Sequence, residues 1–182
     1  MQDLDISTKH GKQIDIAVAH RKVGEVYSEL GEFEPAISHQ EQYMEIAASL
    51  SDLIEQQRAH ATLGRTYYTQ LVAVPAEAEE FRKKSGKHYS EALKLTHLLR
   101  EKKLLTEKEI REMRARLYLN IGLLYVKFNS SMSHQYLVKA LDESRDIRAT
   151  TLQHLALLQL CESCLLDSNL SQALSYAEEV RT

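Results

Sequence analysis

Along the chain, apolar positions recur in a fixed local pattern set between polar stretches. Val23-Gly24 is followed by Tyr27, Leu63-Gly64 by Tyr67 and Ile121-Gly122 by Tyr125; a degraded copy stands at Leu160-Cys161 with Cys164. The central positions lie 40, 58 and 39 residues apart. Around them the apolar spacing is helical, and punctuation is sparse. The pattern predicts a helix from about Gln13 to Leu30, stopped by Gly31, and a second from Glu34-Pro35 to about Ser51. A third covers about Leu53 to Leu71. Pro75 then restarts the chain into a long charged helix or helix pair reaching about Lys103. Thr106-Glu107-Lys108-Glu109 reads as a capping box for a helix ending near Phe128-Asn129. Further helices follow over about Met132–Ile147 and Ala149–Asp167, and from Leu170 to the end.

An apolar residue, a glycine and a tyrosine three later match the middle of helix A in a tetratricopeptide repeat (TPR). A glycine inside a helix costs about 1 kcal/mol relative to alanine, so its recurrence requires a close approach between helices A and B. The small residue expected twelve positions later is Ala36 in the first repeat and Ala173 in the fourth. His134 stands at that distance in the third repeat. In the second, an insertion of about 18 residues displaces the alanine to Ala92. The expectation is an all-α, right-handed TPR solenoid of antiparallel helix pairs, each pair sharing a core with the next. Residues 1–12 are expected to be the tail of a preceding helix. Residues 13–182 form the array, divided into 13–52, 53–103 with its charged insertion, 106–148 and 149–182. Both ends read as cut from a longer array.

Composition agrees with this. The 182 residues include only 6 Gly and 2 Pro, too few turn signals for a sandwich or barrel. Two cysteines give no disulfide framework and suggest a reducing, intracellular setting. No apolar run reaches membrane-spanning length, and Asp3 and Asp5 after Met1 do not fit a signal peptide. The net charge of −3 hides an asymmetry: Arg82 to Arg116 holds twelve Lys/Arg and five Asp/Glu. This reads first as the solvated face of a long helix and second as an electropositive ridge for an acidic partner. Without an aromatic ladder, direct nucleic-acid binding is not expected.

Nothing in the chain supports catalysis. It has no P-loop, GxSxG, GxGxxG or HExxH pattern. Cys161 and Cys164 have CxxC spacing but fill core-facing repeat positions, so they read as packed thiols rather than a metal site. His20 and His60 share one repeat position and read as packing residues. No cofactor, metal or small-molecule substrate is expected.

A solenoid offers a concave groove lined by its A helices. The inward positions include Arg21, Lys22, Glu25 and Ser28, then Arg58, Thr62, Arg65 and Tyr68. Arg116 and Asn120 follow, then Gln159 and Glu162. The arginines can fork onto carboxylates or phosphates, and the Asn120 amide can pair with an extended peptide backbone. The expected peptide-binding set is Arg21, Glu25, Arg58, Thr62, Arg65, Tyr68, Arg116 and Asn120.

Four strings also carry a family resemblance. AVAHRKVGE (17–25), HQEQYMEIAASLSD (39–52), QRAHATLGRTYY (57–68) and EIREMRARLYLNIGLLY (109–125) resemble the repeats of the Tonsoku-like proteins. The repeat length is similar, more broadly, to the spindle-orientation proteins LGN and Pins. The resemblance covers about 10–128. It implies part of a nuclear, chromatin-associated scaffold acting in repair of replication forks by homologous recombination. The tetratricopeptide part of such a scaffold would contact a histone tail and repair partners. The alternatives are an LGN-type signalling adaptor and a co-chaperone-like binder of acidic peptides, though Glu25 stands where such a clamp wants asparagine.

Overall fold

The computed structural model describes residues 2–180, with side chains over 11–180; Met1 and the last two positions of the expected fourth repeat lie outside these. Among the described residues every regular element is helical: α1 (Gln2–Glu29), α2 (Phe33–Ser49), α3 (Leu53–Ala73), α4 (Ala78–Glu101), α5 (Glu107–Tyr125), α6 (Ser130–Asp146), α7 (Thr150–Leu166) and α8 (Leu170–Val180). Pro75 opens a single 3-10 turn to Glu77, and one helix rather than a pair fills the charged stretch after it. α1 runs unbroken from Gln2 through the expected boundary near residue 12. Within each unit neighbouring helices joined by short turns pack against each other, α1 on α2 and α2 on α3 in the first, α5 on α6, α6 on α7 and α7 on α8 in the second, giving an all-α fold of the tetratricopeptide type.

The chain divides into two compact units, residues 1–95 and 96–182, with the division inside α4. In the first, Ala17, Tyr43 and Ala59 from α1, α2 and α3 meet in a core that Met44 and Ile46 flank. In the second, Ala115, Leu119, Leu137, Leu141, Leu152, Leu157 and Leu160 join α5, α6 and α7.

The helix boundaries follow from local chemistry. Asp52 caps α3 by accepting from the Ile54 and Glu55 amides, both at 3.0 Å. At α5 the expected capping box is present: the Thr106 amide donates to Glu109 at 2.8 Å and the Glu109 amide returns a bond to the Thr106 hydroxyl at 3.3 Å. Asn129 caps α6. Gly31, with φ +78°, ends α1 as expected.

The glycines are sites of close approach. A Cβ on Gly24 would lie 2.7 Å from Gln40 Cγ and 3.0 Å from the Ala36 carbonyl oxygen; one on Gly122 would lie 2.6 Å from the Leu137 side chain. The small residue opposite, however, is not where the fixed spacing puts it in two repeats. The fully buried Ser85 and Ser133 donate to the carbonyls of Gly64 and Gly122, each at 2.8 Å. They stand where Ala36 stands in the first repeat. His134 and Ala92 therefore do not take that place: α5 ends three residues after Gly122 where α1 ends five after Gly24, a difference that a connection one residue longer only half restores, and Ala92 is buried two turns beyond Ser85.

Candidate functional site

In the first unit, the A-helix positions of α1 and α3 carry six of the eight expected groove residues. Arg21, on α1, donates to Glu25 one turn later at 3.3 Å. Arg65, on α3, reaches the same Glu25 oxygen at 3.3 Å. One carboxylate thus ties two helices and two guanidinium groups together. Seven residues before Arg65, Arg58 pairs with Glu55, which also accepts the Tyr43 hydroxyl at 2.5 Å. Desolvation by burial, then the hydrogen bond and charge of Glu55, holds the Tyr43 hydroxyl well above the usual phenol range. Thr62 is buried and its hydroxyl is spent on the Arg58 carbonyl at 2.8 Å, so it supports the helix rather than the surface. Tyr68 is half-buried on the same helix.

The second unit holds the other two. Arg116 is exposed and pairs with Glu112 on its own helix at 2.8 Å. Asn120 is half-buried one turn later. The structure therefore brings Arg21 and Glu25 of α1 into direct contact with Arg65 of α3, sets Arg58 two turns before Arg65 on α3, and places Arg116 and Asn120 one turn apart on α5.

The basic stretch after Arg82 breaks into local pairs. Arg82 and Lys83 share Glu79, Lys84 meets Glu80, Lys94 meets Glu91 and Arg100 meets Glu107. Four of these pairs sit at helical spacing on α4, and Arg100–Glu107 crosses the turn to α5. Farther on, Arg111 and Arg114 converge on Glu143, with Arg114 at 2.8 Å and mostly buried.

Two histidine pairs sit at equivalent positions on the A and B helices of the first unit. The Nδ1 atoms of His20 and His39 lie 2.9 Å apart and those of His60 and His88 lie 3.0 Å apart. Tyr27 stacks on His39 and Tyr67 on His88. In the second unit Tyr118 and Tyr136 take the same two places. Interchangeable rings at one position mark packing, as the sequence suggested for His20 and His60. The partners His39 and His88 had no such signal until the helices were paired. Cys161 and Cys164 are free, and burial pushes the Cys164 thiol up. Among the described residues, no group of three or more His, Cys, Asp or Glu could hold a metal ion, and no helix is long and apolar enough to cross a membrane.

No protein-family model matches the chain. It is 36% identical over 127 residues to the Tonsoku-like protein of Bos taurus, covering 67% of this chain and 9% of that protein. Against the Tonsoku-like protein of Mus musculus it is 35% identical over 122 residues, covering 67% and 9%. Against that of Drosophila melanogaster it is 31% identical over 172 residues, covering 89% of this chain and 12% of that protein. The chain spans 9–12% of the length of these curated relatives. Similarity of this extent, on a fold of paired tetratricopeptide-type helices, makes the chain a member of the Tonsoku-like protein family.

Proposed function

We propose that this chain is a non-catalytic protein-interaction module, the tetratricopeptide part of a Tonsoku-like nuclear scaffold in replication-fork repair by homologous recombination. Its A helices hold a segment of a histone or of a repair partner. The observation that carries this reading is the family membership together with the cross-helix set Arg21–Glu25–Arg65, which fixes polar side chains in one arrangement on α1 and α3. Groups held in place before binding lose little entropy on binding, as a recognition surface requires. The remaining residues of the first unit's site are Arg58 and Tyr68 on α3.

The test is made in cells, in the scaffold that contains this segment. Arg58 and Arg65 are both replaced by glutamate, and accumulation at replication forks stalled by nucleotide depletion is followed by imaging. Loss of accumulation with unchanged protein level supports the module and its site. Full accumulation of a scaffold lacking this segment would overturn the reading.

A further inference from the structure

Resting on the peptide-binding reading, we infer that the first unit's face accepts an acidic segment, with carboxylate side chains seated on Arg58 and Arg65. The argument begins with which charges point outward. Five charged side chains form two sets there, Arg21–Glu25–Arg65 and Arg58–Glu55. The carboxylates are the covered partners, with side chains 27% and 13% exposed, whereas Arg58 and Arg65 are 52% and 55% exposed. Glu25 is claimed by two guanidinium groups and Glu55 by Arg58 and the Tyr43 hydroxyl. Neither acid is left to meet a lysine or arginine from a partner without first breaking these bonds.

The arginines are in the opposite position. A guanidinium carries five N–H donors. Arg65 gives one nitrogen to Glu25 and Arg58 one to Glu55, and most of each side chain stays in water. Their spacing of seven puts them on one side of α3, roughly 10 Å apart along the helix. A bidentate carboxylate fits each fork better than it would a lysine ammonium. At this face the two exposed arginines, against the covered Glu25 and Glu55, favour a carboxylate-bearing segment. The cross-helix bond from Arg65 to Glu25 also restrains that guanidinium before any partner arrives.

The experiment titrates the whole chain into two fluorescein-labelled peptides. One alternates Glu and Ser, and the other is its Lys-for-Glu counterpart. Anisotropy is read at about 50 and about 300 mM salt. The Glu peptide is expected to bind, more weakly at the higher salt. Arg58→Glu and Arg65→Glu each weaken it at least about tenfold, consistent with loss of a charge-assisted pair. Arg65→Gln, which carries no new charge beside Glu25, weakens it in the same direction, and circular dichroism confirms the helices. Lys94→Glu, an equal charge change on α4, has little effect. Equal loss in Lys94→Glu would show non-specific attraction and overturn the proposal. Preference for the Lys peptide, weakened by Glu25→Lys, would overturn the acidic assignment while leaving a peptide-binding module. No binding of either peptide, together with full fork accumulation in the cellular test, would remove both readings.

Discussion

The Tyr89 ring lies where the side chain of Gly64 would be, with ring carbons 2.6 Å from the position of the missing Cβ. Tyr89 comes from α4, packed on α3, and is itself fully buried, so the ring has nowhere to retreat. A helical glycine replaced by alanine ordinarily gains about 1 kcal/mol. At Gly64 the overlap costs more than that gain, and Gly64→Ala lowers stability by roughly 1–3 kcal/mol.

Two other glycines separate the causes. Gly11 and Gly31 both face open space, with nothing within 4 Å of an added Cβ. Gly11 is inside α1, and Gly11→Ala raises stability by up to about 1 kcal/mol. Gly31 has φ +78°, and Gly31→Ala lowers stability by about 1 kcal/mol through the backbone alone. Urea denaturation of the three alanine variants, followed by circular dichroism, checks both the signs and the order.

Gln40 is wholly buried against Gly24, and both its amide nitrogen and its amide oxygen lack a hydrogen-bond partner. In the second unit the equivalent position against Gly122 is Leu137. An unpaired buried amide costs about 1–3 kcal/mol. Gln40→Leu, which copies the Leu137–Gly122 packing, is therefore expected to raise the urea midpoint of the first unit. A lowered midpoint would mean that the amide is satisfied in solution, by water.

The His60–His88 pair gives the first unit a pH dependence. Burial, with the neighbouring His60 and Lys87 charges, brings His88 down to about 4, while Glu91 opposes. His60 is lowered as well, chiefly by burial, then by Lys87 against the opposing Glu91. Below about pH 6.5 the unfolded chain takes up protons that the folded pair refuses, so stability falls with pH toward about 4. At neutral pH the pair adds no such penalty. The expected loss between about pH 7 and pH 4.5 is on the order of 2 kcal/mol beyond the carboxylate background. Replacing His60 and His88 together by tyrosine, after Tyr118 and Tyr136, should flatten that part of the profile. An unchanged slope would place the protons elsewhere.

Much of the fold was legible because its spacing repeats, and what was missed follows from where spacing stops carrying the physics. The apolar-Gly-Tyr pattern located α1, α3 and α5, since close helix approach tolerates almost no other residue. The opposing small position was read as alanine at a fixed distance, which hid Ser85 and Ser133. A buried serine is admitted there because its hydroxyl finds the glycine carbonyl. Helix ends were harder still. Gly31 announced one, but Ser51, Lys103, Arg148 and Ser168 adopt the same left-handed conformation at four others, closed by the same paired backbone bonds. Hydrogen bonding and packing impose that conformation on residues that give no local signal. At the candidate site the arginines were visible, whereas their unequal exposure relative to Glu25 and Glu55 depends on α1 and α3 being side by side.

In the second unit a nearly buried ion pair is sensitive to loss of a single group. Arg114 is nearly buried and meets Glu143 at 2.8 Å, while Arg111 bridges from the same helix to Glu143 and Asp146. Glu143→Gln keeps the shape and removes the charge, leaving a desolvated guanidinium with only the more distant Glu107 carboxylate, at 3.8 Å, as counterion. Breaking a buried pair from one side typically costs about 3–5 kcal/mol. Arg111 stays partly in water, so the lower part of that range is expected. The double change Arg114→Met with Glu143→Leu removes both charges and should recover most of the loss, because the pair's mutual attraction mainly offsets its own desolvation. Thermal melts of Arg114→Met, Glu143→Leu and the double variant, beside the parent, form a cycle that isolates the coupling. A double variant as unstable as Glu143→Gln would mean that Arg111, left with Glu107 and Asp146, depends on Glu143 more than Arg114 does.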